Sequence, residues 1–340
     1  MQVETLSIRL LASVGAVVVV LLPYWRQVLL LIGLAIAMVL AFTLKNFVLF
    51  QLTLALIYAI AILGLNLLTG YNGQFSLGHS AFFAIGAYTA AVLMDQLSVP
   101  YYWTLPVAGV MCLVFGFLFG LPALRLEGIY LALATFALAV AMPQLLKFSP
   151  LEHLTGGVQG IVLIKPDPPF GLPISADQWL YFFTIAVALV MYVCAYQLIK
   201  SRTGRAIIAI RDNHIAAMSM GINISLYKSL TFGVSALYTG VAGALAAIVV
   251  AYVAPDSFTL ILAIALFVGM VIGGAASIVG TLIGGLFVLF VPNIAESFSK
   301  GLSGAVYGII LILTIYVMPS GAAGLVRLTL VRLMSRLASR

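Results

Sequence analysis

Residues 200–228 read KSRTGRAIIAIRDNHIAAMSMGINISLYK and stand between two long apolar runs. Lys200, Arg202, Arg205, Arg211 and Lys228 face a single acid there, Asp212. A charge at the centre of a bilayer costs about 2.5–3.5 kcal/mol on the insertion scale, so this segment lies outside the hydrocarbon. Its positive excess puts it on the cytoplasmic side. Within it, Asp212 is a good N-cap, and Gly221 suits the left-handed residue that ends a helix. The sequence predicts a helix of about two turns between them, with Asn223 or Ser225 capping the next apolar run. A short capped helix on the cytoplasmic face suits docking to a partner. An ordinary solvated loop between membrane helices fits the same residues and is the commoner case.

Outward from this island the chain is apolar. Of its 340 residues 64% are hydrophobic and 7% charged, with mean hydropathy +1.22. Soluble domains carry about 25% charged residues. The runs are long and continuous instead of alternating with period two, which excludes a β-barrel. The fold class is therefore an all-α polytopic membrane protein. Candidate spans are 7–23, 28–44, 47–69, 80–94, 102–121, 129–146, 179–199, 226–253, 259–274, 279–294 and 304–318, which gives about 10–11 transmembrane helices. The runs 80–94, 259–274 and 279–294 are short enough to be half-helices or re-entrant segments.

Sidedness follows by parity. With 200–228 inside, 147–178 is outside, and its KPDPPFGLP stops helix. Counting back puts Arg26 and Arg125 inside, Lys45 outside and the N-terminus outside. Counting forward returns the C-terminus to the cytoplasm. Nine of the sixteen basic residues lie in 200–228 or from Arg327 onward, a membrane-flank distribution and not a nucleic-acid surface. The basic tail 326–340 either lies on anionic lipid as an amphipathic helix or is a plain stop-transfer flank. Residues 1–46 read as accessory transmembrane helices before a main domain over 47–325. No small-residue cleavage site follows Arg9, so a retained helix is expected, not a signal peptide. Cys112 and Cys194, inside apolar runs, read as small core residues.

Two stretches interrupt the helices. GLNLLTGYNGQFSLGHSAFFAIGAY, from Gly64 to Tyr88, places Asn66, Asn72, Gly73, Gln74, Ser76, Gly78 and His79 between apolar runs. Glycines at this density favour non-helical backbone. At membrane depth such backbone must be buried in protein or line a cavity. A neutral, amide- and hydroxyl-rich break offers hydrogen bonds to a polar zwitterion without trapping it by charge, so these residues are candidates for a translocation path. A packing hinge also fits them, and a plain loop at the membrane surface fits as well as either. In the second stretch, 269–285, Gly269 and Gly273 are four apart, as are Gly280 and Gly284. That spacing lets helices approach closely. Paired interruptions suggest an internal repeat.

Catalytic constellations are not found. His79, His153 and His214 lie in separate regions without metal-ligand spacing. There is no phosphate-binding loop of the Gly-x4-Gly-Lys-Ser/Thr type. Asp95, Glu127, Asp256 and Glu296 all fall near span ends, whereas ion-driven carriers usually carry intramembrane carboxylates. Energy is therefore expected from outside the chain. A self-sufficient carrier or channel, or an intramembrane enzyme, would need groups of these kinds.

Several blocks resemble one family in order. These are GLNLLTGYNGQFSLGHSAFFAIGAYTAA, LEGIYLALATFALA, LTGGVQGI, SRTGRAIIAIRDNHIAAMSMGINISLYKSLTFGVSALYTGVAGAL, IGGAASIVGTLIGG and YGIILILTIYVMPSGAAGL. The chain resembles the longer permease subunit of branched-chain amino acid ABC importers. The resemblance implies a bacterial inner-membrane subunit, non-catalytic and without a cofactor of its own. Its implied partners are a second related permease, two cytoplasmic ATPases that bind ATP and Mg, an extracytoplasmic binding protein and membrane lipid. It implies that the 212–221 helix contacts an ATPase, through Arg205, Arg211, Asp212, His214, Met218 and Gly221. His214 departs from the family, which tends to an acid there, as does Ser320, where a base is usual. Relatives in the family also import urea, short amides and aromatic or organic acids.

Overall fold

The computed structural model describes residues 37–298 except 125, 127 and 170–172, together with positions 33, 308–309, 312–313, 316, 321–322 and 324. The expected span 7–23, residues 28–32 and 34–36 of the expected span 28–44, most of 304–318, the tail 326–340, Arg26, Arg125, Glu127 and Ser320 lie outside the described residues. The chain divides into units 1–49 and 50–340. In the first, residues 37–43 are helical and Thr43 Oγ1 donates to the Val39 carbonyl at 3.0 Å.

The described helices are α1 (Asn46–Leu65), α2 (His79–Asp95), α3 (Tyr101–Ala123), α4 (Ile129–Leu146), α5 (Ala176–Lys200), α6 (Arg202–Asp212), α7 (His214–Ser219), α8 (Ile224–Val250), α9 (Leu260–Gly273) and α10 (Gly280–Phe298). Among the described residues, six helical segments are long and apolar enough to cross a membrane: Asn46–Tyr71, Tyr101–Pro122, Ile129–Leu146, Ala176–Lys200, Ile224–Val250 and Pro255–Gly273. The apolar helix Gly280–Glu296 is shorter, as is α2. Each candidate span between 47 and 294 coincides with one helix.

Caps set the helix starts where the chain turns. Ser175 and Gln178 form a reciprocal capping box at α5, Ser201 caps α6 and Asn223 caps α8. Core packing centres on α8, buried along most of its length against α2 and α3. It gets there through small residues. A Cβ on Gly86 of α2 would collide with the Gly240 carbonyl of α8, and one on Gly243 with the Phe83 carbonyl. The α9–α10 pair is equally tight. A Cβ on Gly273 would strike the Gly280 carbonyl, and one on Gly284 the Gly269 carbonyl. The four glycines at fourfold spacing therefore face one another across one seam. Cys112 is buried and donates to the Phe82 carbonyl at 3.4 Å. Cys194 is exposed, contrary to the core expectation, because it lies on an outward face of the peripheral helix α5.

The two ends of the bundle are distinct. At one, Gln96 Nε2 donates to the His153 carbonyl at 2.9 Å, and a two-residue antiparallel ribbon pairs β1 (Ile161–Val162) with β2 (Tyr252–Val253). Lys147 pairs with Asp256 at 2.5 Å, and Lys165 with Asp177. Tyr101, Tyr102, Trp103 and Trp179 cluster here, and the Trp179 indole donates to the Tyr101 hydroxyl at 3.0 Å. Such residues gather at membrane–water interfaces. The opposite end carries the basic segment 200–228. The helices thus alternate between ends in the order that parity requires.

Candidate functional site at the basic end

The basic segment contains two helices, not one. Ser201 accepts from the Gly204 amide, and α6 then runs through Asp212 with Ala206, Ile207 and Ile210 turned inward. The cap of the second helix is accordingly Asn213, whose Oδ1 accepts from the Ile215 and Ala216 amides at 3.0 and 3.1 Å. Asp212, expected as that cap, instead ends α6 and pairs with Arg211 at 2.9 Å. The reason is continuity: the apolar face of α6 holds its helix one residue further than the polar pattern suggests. Gly221 follows α7 with φ +81, the left-handed conformation expected there. Arg205, Arg211, Asp212, His214, Met218 and Gly221 are all exposed. So are Ile215, Met218 and Met220, at 61%, 59% and 82%. Only Ala217 of α7 is buried. A helix that shows this much apolar surface to water offers a docking face.

The interruption after α1 meets this segment. The backbone first widens into a π turn over Asn66–Tyr71, a form common at functional sites. It then runs without helix through Gly73, at φ +75, to His79. Arg211 Nη1 donates to the Gly70 carbonyl at 3.0 Å, and Gln74 Nε2 donates to the Lys228 carbonyl at 3.2 Å. The break therefore lies at the basic end. Thr69 Oγ1 donates to the Gln74 carbonyl at 2.9 Å, the Leu77 amide donates to Thr135 Oγ1 at 3.0 Å, and Gly78 packs against the Thr135 backbone.

The candidate path residues are mostly occupied within this chain. Asn66, Asn72, Gln74, Ser76, Gly78 and His79 are buried, and only Gly73 among them is exposed. His79 Nε2 lies 2.7 Å from Ser235 Oγ, which donates to the Gly64 carbonyl at 2.6 Å, and His79 Nδ1 lies 3.2 Å from Ser76 Oγ. Asn66 reaches the second interruption: Nδ2 donates to the Ser277 carbonyl at 2.9 Å and Oδ1 accepts from the Ala276 amide at 2.8 Å. Asn72 differs. Its carboxamide is buried, and neither Nδ2 nor Oδ1 has a partner among the described residues. Ser235, Thr135, Ala276 and Ser277 were not candidates on sequence grounds, since nothing local marks a hydroxyl or a backbone group as a distant partner. For α6 a signal existed: Ser201 before Ala206, Ile207 and Ile210 at helical spacing.

The described residues thus form a polytopic helical protein whose basic α6–α7 segment is bonded through Arg211 to a polar break in the helical domain. Residues 47–315 match the family described as branched-chain amino acid transport system / permease component, and the chain belongs to that family. It is 31% identical to the high-affinity branched-chain amino acid transport system permease protein LivM of Escherichia coli, over 73% of this chain and 63% of that one. It is 26% identical to the corresponding permease protein LivH of the same organism, over 80% of this chain and 92% of that one. A probable branched-chain amino acid transport permease protein LivH of Methanocaldococcus jannaschii is 26% identical over 74% of this chain and 83% of its own length. The match spans 63% of the length of the LivM relative. No solved structure matches the chain significantly. Family and helices together make this a multi-pass inner-membrane protein of a permease family.

Proposed function

We propose that this chain is one of two related permease subunits of an ATP-driven importer for branched-chain or related amino acids. The α6–α7 pair carries the reading: an exposed apolar helix on the cytoplasmic face, tied through Arg211 to the Gly70 carbonyl of the interrupted membrane segment. Cytoplasmic ATPase subunits, which bind ATP and Mg, would seat on Ile215 and Met218. An extracytoplasmic binding protein would dock on the opposite end, where the 147–178 segment is fastened by Lys147–Asp256 and the β1–β2 ribbon. ATP binding shifts such a protein between states only if nucleotide and binding protein favour different ones. Relatives named as LivM and as LivH both match, which supports a paired permease.

The test is affinity purification of the tagged chain from its native membrane. The expected co-purifying set is two P-loop ATPases and a second permease. The double variant Ile215→Asp/Met218→Asp should lose the ATPases and keep the second permease, since both side chains are exposed and removing them leaves the fold alone. A chain that purifies alone and moves solute in liposomes without ATP overturns the reading.

Asn72 supports a path through the break. A buried carboxamide without partners costs about 1–3 kcal/mol, so its retention points to use outside this chain's own packing. Asn72→Leu is expected to raise the thermal midpoint of the purified complex and to slow uptake. Raised stability with wild-type uptake would remove Asn72 from the path.

A further inference from the structure

We propose that Asn66 is a positioning residue: it hands displacement of the cytoplasmic helices to the turn between α9 and α10. This rests on the importer reading above.

The turn is built from unusual backbone. Gly274 has φ +110 and Ala276 has φ +58. An alanine stays in the left-handed region only where its surroundings hold it. The hold here is Asn66, fully buried, with both ends of its carboxamide on the turn, Oδ1 to the Ala276 amide and Nδ2 to the Ser277 carbonyl. The gripped residue also starts the next helix, because Ser277 Oγ accepts from the Gly280 amide at 3.1 Å. The Gly269–Gly284 and Gly273–Gly280 contacts then make α9 and α10 follow the turn together.

The other side of Asn66 leads to the cytoplasm. A Cβ on Gly70 would collide with Asn66 Oδ1 and stand 2.6 Å from the Ala276 amide nitrogen, so Gly70 leaves the carboxamide room to cross. The Gly70 carbonyl accepts from Arg211, and the Gly73 Cβ position would lie 3.0 Å from Arg211 Cγ. Arg211 is two residues before Asn213, the cap of α7. A push on α7 therefore reaches the α9–α10 turn through two side chains and one π turn. Only a carboxamide meets the geometry, because the turn presents a donor and an acceptor side by side. Aspartate would set an acceptor against the Ser277 carbonyl, and leucine would offer neither bond.

A physical path is accepted as coupling only when the energetics are shown to couple. The experiment uses the complete complex, with its ATPases and binding protein, in proteoliposomes. Solute imported per ATP hydrolysed is measured for wild type, Asn66→Asp, Asn66→Leu, Arg211→Leu and the Asn66→Leu/Arg211→Leu double variant. The expected result is a fall of about tenfold for each single variant, the size of an ordinary coupling free energy, and no further fall in the double. Wild-type ratios in both Asn66 variants, or losses that multiply in the double, overturn the proposal. Failure of wild type to import with ATP would instead sink the importer reading. A second measurement keeps Asn66 native. Ala275 is exposed, so Ala275→Cys in a Cys194→Ser background reports the turn by its rate of labelling with a polar maleimide. That rate should change on adding ATP and lose the change when Arg211→Leu is introduced. A nucleotide response that survives Arg211→Leu overturns the proposal even if every Asn66 variant fails to fold.

Discussion

Gly86→Leu is expected to abolish accumulation of folded protein in the membrane. The Cβ alone would collide with the Gly240 carbonyl and stand 2.6 Å from its Cα. Relief by a rotamer change is impossible, because both obstacles are backbone. Nor is there slack on the far side of α8. A Cβ on Gly116 of α3 would collide with Ala236 and lie 3.1 Å from the Gly233 Cα, so α8 is wedged between two helices. Overpacking commonly costs about 1–3 kcal/mol, and backbone on both sides puts this site at the top of that range or beyond. Moving α8 would also draw Ser235 away from Gly64 and His79. Fluorescence-detected size exclusion of the solubilised, tagged chain reads the result. Gly86→Ala should give a smaller loss, as it adds the Cβ without the branched end. A leucine variant with wild-type yield and thermal midpoint would show that the α2–α8 crossing is looser than described.

His79→Leu is the second large effect. The Ser235 hydroxyl has one hydrogen, and the Gly64 carbonyl at 2.6 Å takes it. The contact at 2.7 Å must then be a donation from His79 Nε2 to Ser235 Oγ, which leaves Nδ1 to accept from Ser76. Three hydrogen bonds thus run in one direction, from the break through α2 and α8 to α1. Leucine fills part of the space and leaves Ser76 and Ser235 each short of a partner, a loss of about 1–3 kcal/mol. The double variant His79→Leu/Ser235→Ala should cost less than the sum of the two single variants, with an interaction energy of about 1 kcal/mol. Because the ring is fully engaged inside this chain, conservative variants that still assemble should keep the substrate KM of wild type. A changed KM would return His79 to the translocation path.

These residues also show how much was legible beforehand. Gly221 and Asn223 were readable because a cap is a local matter of backbone angle and one side-chain bond. The sequence pattern sets the cap of α7 one residue early, at Asp212 instead of Asn213, because charge outweighs the Ala206, Ile207, Ile210 face that carries α6 through Asp212. Glycines four apart at 269–273 and 280–284 announced close packing, but not that the two pairs face each other. The neutral chemistry of 64–88 was plain in the sequence. Its partners were not, because Ser235, Ser277 and Arg211 lie 156, 211 and 141 residues from the groups they bond, and nothing along the chain encodes such meetings.

That separation bears on how the protein is made. His79 and Ser235 are 156 residues apart, which is roughly ten to thirty seconds of synthesis. Asn66 must wait longer for Ser277. Through that interval the first interruption enters the bilayer with its amides and hydroxyls open. An aspartate or lysine in their place would face hydrocarbon alone, at about 2.5–3.5 kcal/mol each. Amides and hydroxyls wait more cheaply, and His79 and Asn66 close their long-range bonds only when α8 and the α9–α10 turn arrive. The neutrality of this segment therefore serves biogenesis: the long-range hydrogen bonds of the break double as a record that every intervening helix has crossed the right way.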